Sequence, residues 1–174
     1  MRKVLKIVVV LIILIPLVFF LPGIFIKSVT IEQDIDIERP PKNVFFTLIN
    51  PGKMEKWIPG FKKVETLDGF IHGVGSRFLL TLDIQDKEYK IIQEITVFEW
   101  KEELGIKYIM PRVVIETNIQ LTALNRKTNL KIRHNLIGTN IFWRSLLVWS
   151  KPFSRKYFDK VFFDFKDLLE HRHK

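Results

Sequence analysis

The chain begins with an uninterrupted hydrophobic segment. The twenty residues from Ile7 to Ile26 carry no charge and show no polar face at helical spacing. As an α-helix they would rise about 30 Å, close to the thickness of the hydrocarbon core of a bilayer. Pro16 and Pro22 would interrupt a helix in water, but prolines are tolerated in membrane-spanning helices. The pattern predicts a transmembrane anchor over residues 1–27 and a separate domain over residues 28–174.

Two other interpretations of this segment fit less well. A secretory signal peptide usually has an apolar stretch of about 7–15 residues and small residues at a cleavage site, whereas residues 21–28 contain no such site. A core helix of a soluble protein would show a polar face. Arg2, Lys3 and Lys6 precede the segment and only Lys27 closely follows it. Basic residues that flank a membrane span favour the cytoplasmic side of the membrane. We therefore expect a single-pass membrane protein whose N-terminus is inside and whose domain is periplasmic or extracellular.

The pattern changes to strands directly after the anchor. From Val29 to Ile37, apolar odd positions alternate with mostly polar even positions, which is typical of a half-buried strand. Pro40 and Pro41 end this strand, and residues 41–49 and 53–57 are predicted to be two short helices. Turn residues then divide the chain into six further predicted strands: 61–67, 73–84, 88–97, 100–110, 113–124 and 129–137. Short turns between consecutive strands favour an antiparallel sheet.

The periodicity becomes helical after Gly138. Residues 140–149 are predicted to be one helix, with Pro152 at its joint to a second, amphipathic helix of about five turns. The apolar face of the second helix comprises Phe158, Val161, Phe162, Phe165 and Leu168. The order of elements predicts an α+β fold, in which a seven-stranded antiparallel sheet curls around a long C-terminal helix and leaves a cavity between them.

Several short motifs occur in an order that resembles a known superfamily. They are the segment from Ile37 to Phe45 with its central Arg39-Pro40-Pro41, then Trp57-Ile58-Pro59, Gly73-Val74-Gly75-Ser76-Arg77, and the helix end from Phe165 to Glu170. Over residues 29–170 the chain resembles the polyketide cyclase/dehydrase and lipid-transport-like group of the START/Bet v 1 (SRPBCC) superfamily. The usual Ala before the proline is replaced by Arg39. The resemblance implies a helix-grip fold with a hydrophobic-ligand cavity, in a superfamily that includes both cyclases and lipid carriers.

The strand alternation also selects candidate cavity residues. Most side chains predicted to face inward are apolar, and a few are polar, which is how small-molecule sites are commonly built. The predicted ligand-binding residues are Gln33, Phe78, Leu80, Tyr89, Gln93, Trp100, Glu102, Ile115, Thr117, His134, Phe158 and Phe162.

Candidate chemistry is sparse. Glu102 and His134 are weak candidates for a general acid/base pair if they meet across the sheet; the alternatives are a polar cavity lining and a purely structural role. The other histidines, His72, His171 and His173, have no metal-site spacing. The sequence also lacks a G-x-S-x-G elbow and a phosphate-binding glycine loop before a helix. We therefore predict no metal and no cofactor.

Charge and cysteine content exclude some classes of function. The chain contains no Cys, which rules out disulfides, thiolate catalysis and zinc–thiolate sites. The net charge is +9, and the flanks of the anchor supply four of these charges, leaving a domain of +5 with scattered lysines. This distribution favours a solvated surface near anionic lipid over a nucleic-acid-binding face. The sequence leaves the oligomeric state and the identity of the ligand open.

One further cluster is apolar nearly all round. It consists of Ile141, Phe142, Trp143, Leu146, Leu147 and Trp149. It is typical either of an interfacial helix on a bilayer, where Trp is favoured, or of a helix packed between the sheet and neighbouring structure. The sequence as a whole favours a membrane-anchored domain that binds a small hydrophobic or lipid-like ligand. The alternatives are a cyclase- or dehydratase-like enzyme and an interaction module without a ligand.

Overall fold

A computed structural model describes residues 2–70 and 73–171 of the chain. Two of the histidines considered as metal ligands, His72 and His173, lie outside the described residues. The described elements are α1 (Arg2–Phe25), β1 (Ser28–Ile37), α2 (Pro41–Ile49), α3 (Pro51–Met54), β2 (Phe61–Asp68), β3 (Arg77–Ile84), β4 (Lys87–Glu99), β5 (Glu103–Ile109), β6 (Val113–Leu124), β7 (Lys127–Gly138) and α4 (Ile141–Glu170).

The seven strands form one antiparallel sheet in the order β1-β7-β6-β5-β4-β3-β2. Only the first strand is out of sequence, since β1 pairs with β7 from Ser28↔Ile137 to Ile37↔Thr128. The long helix α4 packs against β1 and β7, and its fully buried Phe165 meets the ring of Trp57 edge-on at 4.9 Å. The predicted α+β fold, a curled sheet around a C-terminal helix, is confirmed.

Most predicted strand bounds agree with the structure to within a few residues, but the predicted start of β5 was wrong. Residues 100–102 form the turn after β4, with Lys101 in the left-handed region at φ 67°. The Glu102 amide donates to the Glu99 carbonyl at 3.0 Å, which closes this turn. Trp100 and Glu102 therefore precede the strand instead of belonging to it.

The predicted break at Pro152 was also wrong, because α4 runs through this residue without interruption for 30 residues. Proline removes one helical hydrogen bond and usually bends or ends a helix. Here both sides of the proline are fixed by packing, since Leu147 before it and Phe158 after it belong to the same hydrophobic cluster on β1 and β7. Burial of both segments offsets the lost hydrogen bond.

The N-terminal helix α1 has the length and composition of a membrane span. Within its segment Lys3–Phe25, a window of 18 residues has a mean hydropathy of 3.2, and no residue of that window is buried against the rest of the protein. An apolar helix of this kind serves either as a membrane anchor or as a signal sequence. The division of the chain into residues 1–27 and 28–174 stays a prediction.

The end of α1 packs against the first turns of α4. The Ser145 hydroxyl donates to the Phe20 carbonyl at 3.2 Å, and the Trp149 indole N–H donates to the Phe19 carbonyl at 3.2 Å. Gly23 is buried in the contact, and a methyl group added there would overlap the Ser145 hydroxyl. The apolar cluster of residues 141–149 is therefore packed only in part between the sheet and α1, since Phe142, Leu146 and Trp149 keep exposed surface. The helix α1 is attached to the domain by more than a flexible connection.

Candidate functional site

A cavity of about 970 Å³ lies between the sheet and α4. Strands β3 to β7 line one side of it and α4 lines the other, while Leu48 of α2 and Met54 of α3 line it with Trp57. Its volume is at the upper end of the range of about 300–1,000 Å³ that is usual for small-molecule sites. Leu80, Leu82 and Ile106, which are typical of its walls, are buried apolar residues.

Eight of the twelve predicted ligand-binding residues line this cavity: Leu80, Tyr89, Gln93, Ile115, Thr117, His134, Phe158 and Phe162. Those that lie on strands occupy the alternate positions that were predicted to face inward, because side chains in a strand alternate between its two faces. The two phenylalanines lie on α4, one on either side of Val161, which also lines the cavity. Their placement follows the sequence pattern, and ligand binding by them stays a prediction.

The other four predicted residues do not line the cavity. Gln33 faces a groove along the edge strand β1, and Phe78 is half-buried near the start of β3. Trp100 lies in the turn after β4, where its ring meets that of Phe45 edge-on at 5.0 Å. Glu102 is exposed in the same turn. The alternation of the predicted strand 100–110 placed Glu102 on the inward face, but the strand in the structure starts after this residue, at Glu103.

The candidate acid/base pair of Glu102 and His134 does not form. The Leu121 amide donates to the Glu102 carbonyl, and Leu121 is opposite Leu130 on β7. His134 lies four residues farther along β7, which is about 13 Å along the strand in addition to two interstrand spacings of about 4.8 Å. The two side chains are thus too far apart for proton transfer, and the prediction that they could act together was wrong.

His134 instead belongs to a chain of polar contacts that leads from the cavity to the surface. Its Nε2 lies 3.3 Å from the Gln33 amide oxygen, which can only accept, so this nitrogen bears the proton. Its Nδ1 then accepts from the Thr117 hydroxyl at 2.9 Å. Gln33 donates in turn to the Asp159 carboxylate at 2.9 Å. The ring of Phe158 stacks on the imidazole with a centroid separation of 3.9 Å.

Burial determines the protonation of this site. Desolvation lowers the pKa of His134 to about 4, so the imidazole is neutral at physiological pH and is a poor base. Burial also raises the pKa of the Tyr108 and Tyr157 hydroxyls, and both remain protonated. The buried polar side chains of the cavity wall are therefore neutral hydrogen-bonding groups.

Of the residues at the rim of the cavity, the sequence pattern predicted Tyr89 but not Phe153 and Tyr157. Phe153 and Tyr157 on α4, together with Tyr89 on β4, line the cavity and are also exposed to solvent, which identifies its opening. Lys90 and Arg112 line the cavity as well. A usable signal was present, since Phe153, Tyr157 and Val161 recur every fourth residue and so occupy one face of a helix. The prediction of a helix break at Pro152 obscured it.

A second depression of about 1160 Å³ follows the β1 edge of the sheet. Charged side chains make up half of its lining, including Glu32, Asp34 and Arg133. Arg133 and Glu32 form an exposed ion pair at 2.8 Å. An exposed, charged groove of this kind is unsuited to a hydrophobic ligand, so the cavity under α4 is the better candidate site.

The sequence matches no model of a known protein family and no curated protein at a significant level. Solved structures, in contrast, match closely in fold. Ara h 8.0201 is 12% identical with a TM-score of 0.66, covering 82% of this chain and 97% of its own. Protein MLL2253 from Mesorhizobium loti is 18% identical with a TM-score of 0.64, covering 84% and 100%. SA2116 from Staphylococcus aureus, a protein of unknown function, is 12% identical with a TM-score of 0.69, covering 84% and 96%.

These similarities establish the fold of the chain. It is the helix-grip fold of Bet v 1-like proteins, which the sequence motifs predicted. Identities of 12–18% show the fold alone, and they transfer no ligand or activity to this chain. A fold of this type suggests ligand binding, and the particular function depends on the residues of the site.

Proposed function

We propose that the chain is a membrane-anchored binding domain that holds a small hydrophobic or lipid-like molecule in the cavity between its sheet and α4. The observation that supports this most strongly is the cavity of about 970 Å³ with its largely apolar walls. Removing apolar ligand surface from water contributes about 25 cal/mol per Å². A ligand that fills such a space would therefore be retained by its hydrophobic surface, with the buried polar groups selecting its orientation.

The polar groups limit the kind of ligand. Three buried polar side chains on the cavity wall carry no charge: Gln93, Thr117 and His134. They would bind a hydroxyl, carbonyl or amide group of a ligand. Lys90 and Arg112 line the cavity as exposed cations, and the Arg112 guanidinium lies 4.9 Å from the centre of the Trp143 ring. An amphiphile with an apolar body and an anionic or polar end would pair with both the buried neutral groups and the exposed cations.

The anchor is part of the same proposal. The apolar helix α1 would hold the domain at a membrane, where hydrophobic ligands are concentrated. Basic residues on its N-terminal side favour an inside N-terminus and an outside domain. The enzyme alternative is weaker, since its acid/base pair of Glu102 and His134 is separated across the sheet.

Native mass spectrometry of the full chain tests this proposal. The chain would be purified in a mild detergent from the membrane fraction, and the detergent would be removed in the gas phase. We expect a species of 20.7 kDa plus one bound amphiphile, with residues 1–27 still present. A bare chain in every preparation would contradict ligand binding, and a mass lacking residues 1–27 would contradict the anchor.

A further inference from the structure

The contact between α1 and α4 fixes where the start of α4 lies relative to the apolar segment. Residues 19–23 of α1 provide the carbonyls and the glycine that meet Ser145 and Trp149. The charge-free run ends at Ile26, so this contact is three to seven residues before its end. At 1.5 Å per residue, that is about 5–10 Å inside the apolar run. Interfacial helices are buried to a similar depth of about 5–10 Å.

The same part of α4 presents an exposed apolar ridge. The ridge consists of Phe142, Leu146, Trp149 and Phe153, which are spaced four, three and four residues apart and so lie on one face of the helix. Trp149 is 51% exposed and Phe153 is 74% exposed, although α1 packs beside them. Large aromatic side chains at this exposure are unfavourable in water but favoured at a membrane interface.

The charges beside the ridge have one sign. Residues 141–158 include four basic side chains, Arg144, Lys151, Arg155 and Lys156, and no acidic one. A basic segment next to exposed aromatic residues is the composition of helices that rest on anionic lipid. The first acidic residue of α4 is Asp159, which contacts Gln33 at the edge of the sheet.

We propose that the apolar ridge of α4 lies in the interface of an anionic phospholipid bilayer, at the depth set by its contact with α1. This inference rests on the proposed membrane anchor and adds an orientation of the domain to it. Trp143, Phe153 and Tyr157 line the cavity from this same segment of α4. The cavity therefore opens at the lipid surface, so an amphiphile enters from the bilayer without crossing water.

Site-directed spin labelling tests this orientation directly, because the chain has no cysteine and a single introduced one gives a unique label. The labelled variants are Leu146→Cys and Phe153→Cys on the ridge and Ile12→Cys in the middle of α1. Leu124→Cys is the control, as an exposed apolar residue at the far end of β6. The β6–β7 hairpin places that end about 36 Å along the strands from Gly138, which abuts α4.

The full-length variants would be reconstituted in vesicles of phosphatidylcholine and phosphatidylglycerol. Collisions of each label with a water-soluble nickel chelate would then be measured. Because the polar chelate is excluded from hydrocarbon, we expect collision rates at residues 12, 146 and 153 to be about fivefold or more below that at residue 124. Adding Gly23→Leu, which separates α1 from α4, should raise the rate at residue 153.

The outcomes separate this inference from the proposed function. If the label at residue 12 is protected from the nickel chelate but the labels at residues 146 and 153 are freely accessible to it, the orientation is overturned and the anchor is left intact. Free access at residue 12 would overturn the anchor itself. Equal protection at residues 124 and 153 would also overturn the orientation, because the label would then report immersion of the whole domain. An unchanged rate at residue 153 after Gly23→Leu would show that the α1 contact does not set the depth.

Discussion

The Ile115→Trp variant is expected to bind a fluorescent fatty acid at least about tenfold more weakly than the wild-type chain, because its indole would occupy the space where the ligand lies. Ile115 is a half-buried residue of β6 on the cavity wall. Displacing two methylene groups of the ligand costs about 0.8 kcal/mol each, and about 1.4 kcal/mol corresponds to a tenfold change in Kd. Fluorescence titration of the full chain in lipid-free detergent measures the effect.

The matched control is Val114→Trp. Val114 is the preceding residue of the same strand, it is half-buried in the same way, and it does not line the cavity. The same bulky side chain there should leave the fatty-acid affinity unchanged within about twofold, since neighbouring residues of a strand point to opposite faces. Equal affinities of Ile115→Trp and the wild type would contradict a ligand site in the cavity.

Acid should destabilise the domain through His134. The unfolded chain protonates this residue at its ordinary pKa near 6.5, whereas burial lowers the folded pKa to about 4. Between these values the unfolded state binds more protons, so the free energy of unfolding falls as the pH decreases. A difference of this size amounts to roughly 3 kcal/mol, fully present above pH 6.5 and lost by about pH 4.

Denaturant titrations of the full chain at pH 7.5, 5.5 and 4.5 measure this loss. His134→Gln should remove most of the His134 contribution to the pH dependence between 6.5 and 4, although it also lowers the overall stability. His171→Gln is the control, since His171 is an exposed histidine at the end of α4. If the wild type and His134→Gln lose stability in parallel as the pH decreases, His134 is not buried in its neutral form.

Two hydrophobic clusters between the sheet and the helices support the walls of the cavity. One hydrophobic cluster joins α2 and the second half of α4 to the sheet and includes the fully buried Phe45, Phe165 and Leu130. A smaller cluster joins the first half of α4 to β1 and β7 through Leu147 and Ile31. Several side chains of both clusters also line the cavity. Packing at the two ends of α4 thus supports an apolar space that would otherwise favour collapse.

The sequence predicted the parts of this structure that depend on local periodicity. Alternation along β6 placed Ile115 and Thr117 on the inward face, because side chains in a strand follow a period of two. The same rule failed for Glu102, since periodicity gives the parity of a residue but not where a strand starts. It also failed to show that α4 continues through Pro152, because that depends on packing at both sides of the proline.

Contacts between distant segments of the chain could not be predicted from local periodicity. Nothing in the local pattern pairs Gly23 with Ser145, which are far apart in the chain. The chain of contacts from Thr117 through His134 to Gln33 and Asp159 likewise depends on the register of three strands and on α4. Such contacts form only in the folded chain. Those of His134 determine its tautomer, and that of Gly23 determines the proposed orientation of the domain.

Photo-crosslinking in membranes tests the central claim most directly. The full chain would be reconstituted in vesicles containing a fatty acid with a diazirine at its terminal carbon, irradiated and digested for peptide mass spectrometry. We predict crosslinks inside the domain, on cavity-facing residues of β4, β5 and β6 such as Ile91, Ile106 and Ile115, in addition to those on α1. Crosslinks confined to α1 and the exposed ridge of α4, with none on the inner strands, would contradict a lipid-binding cavity.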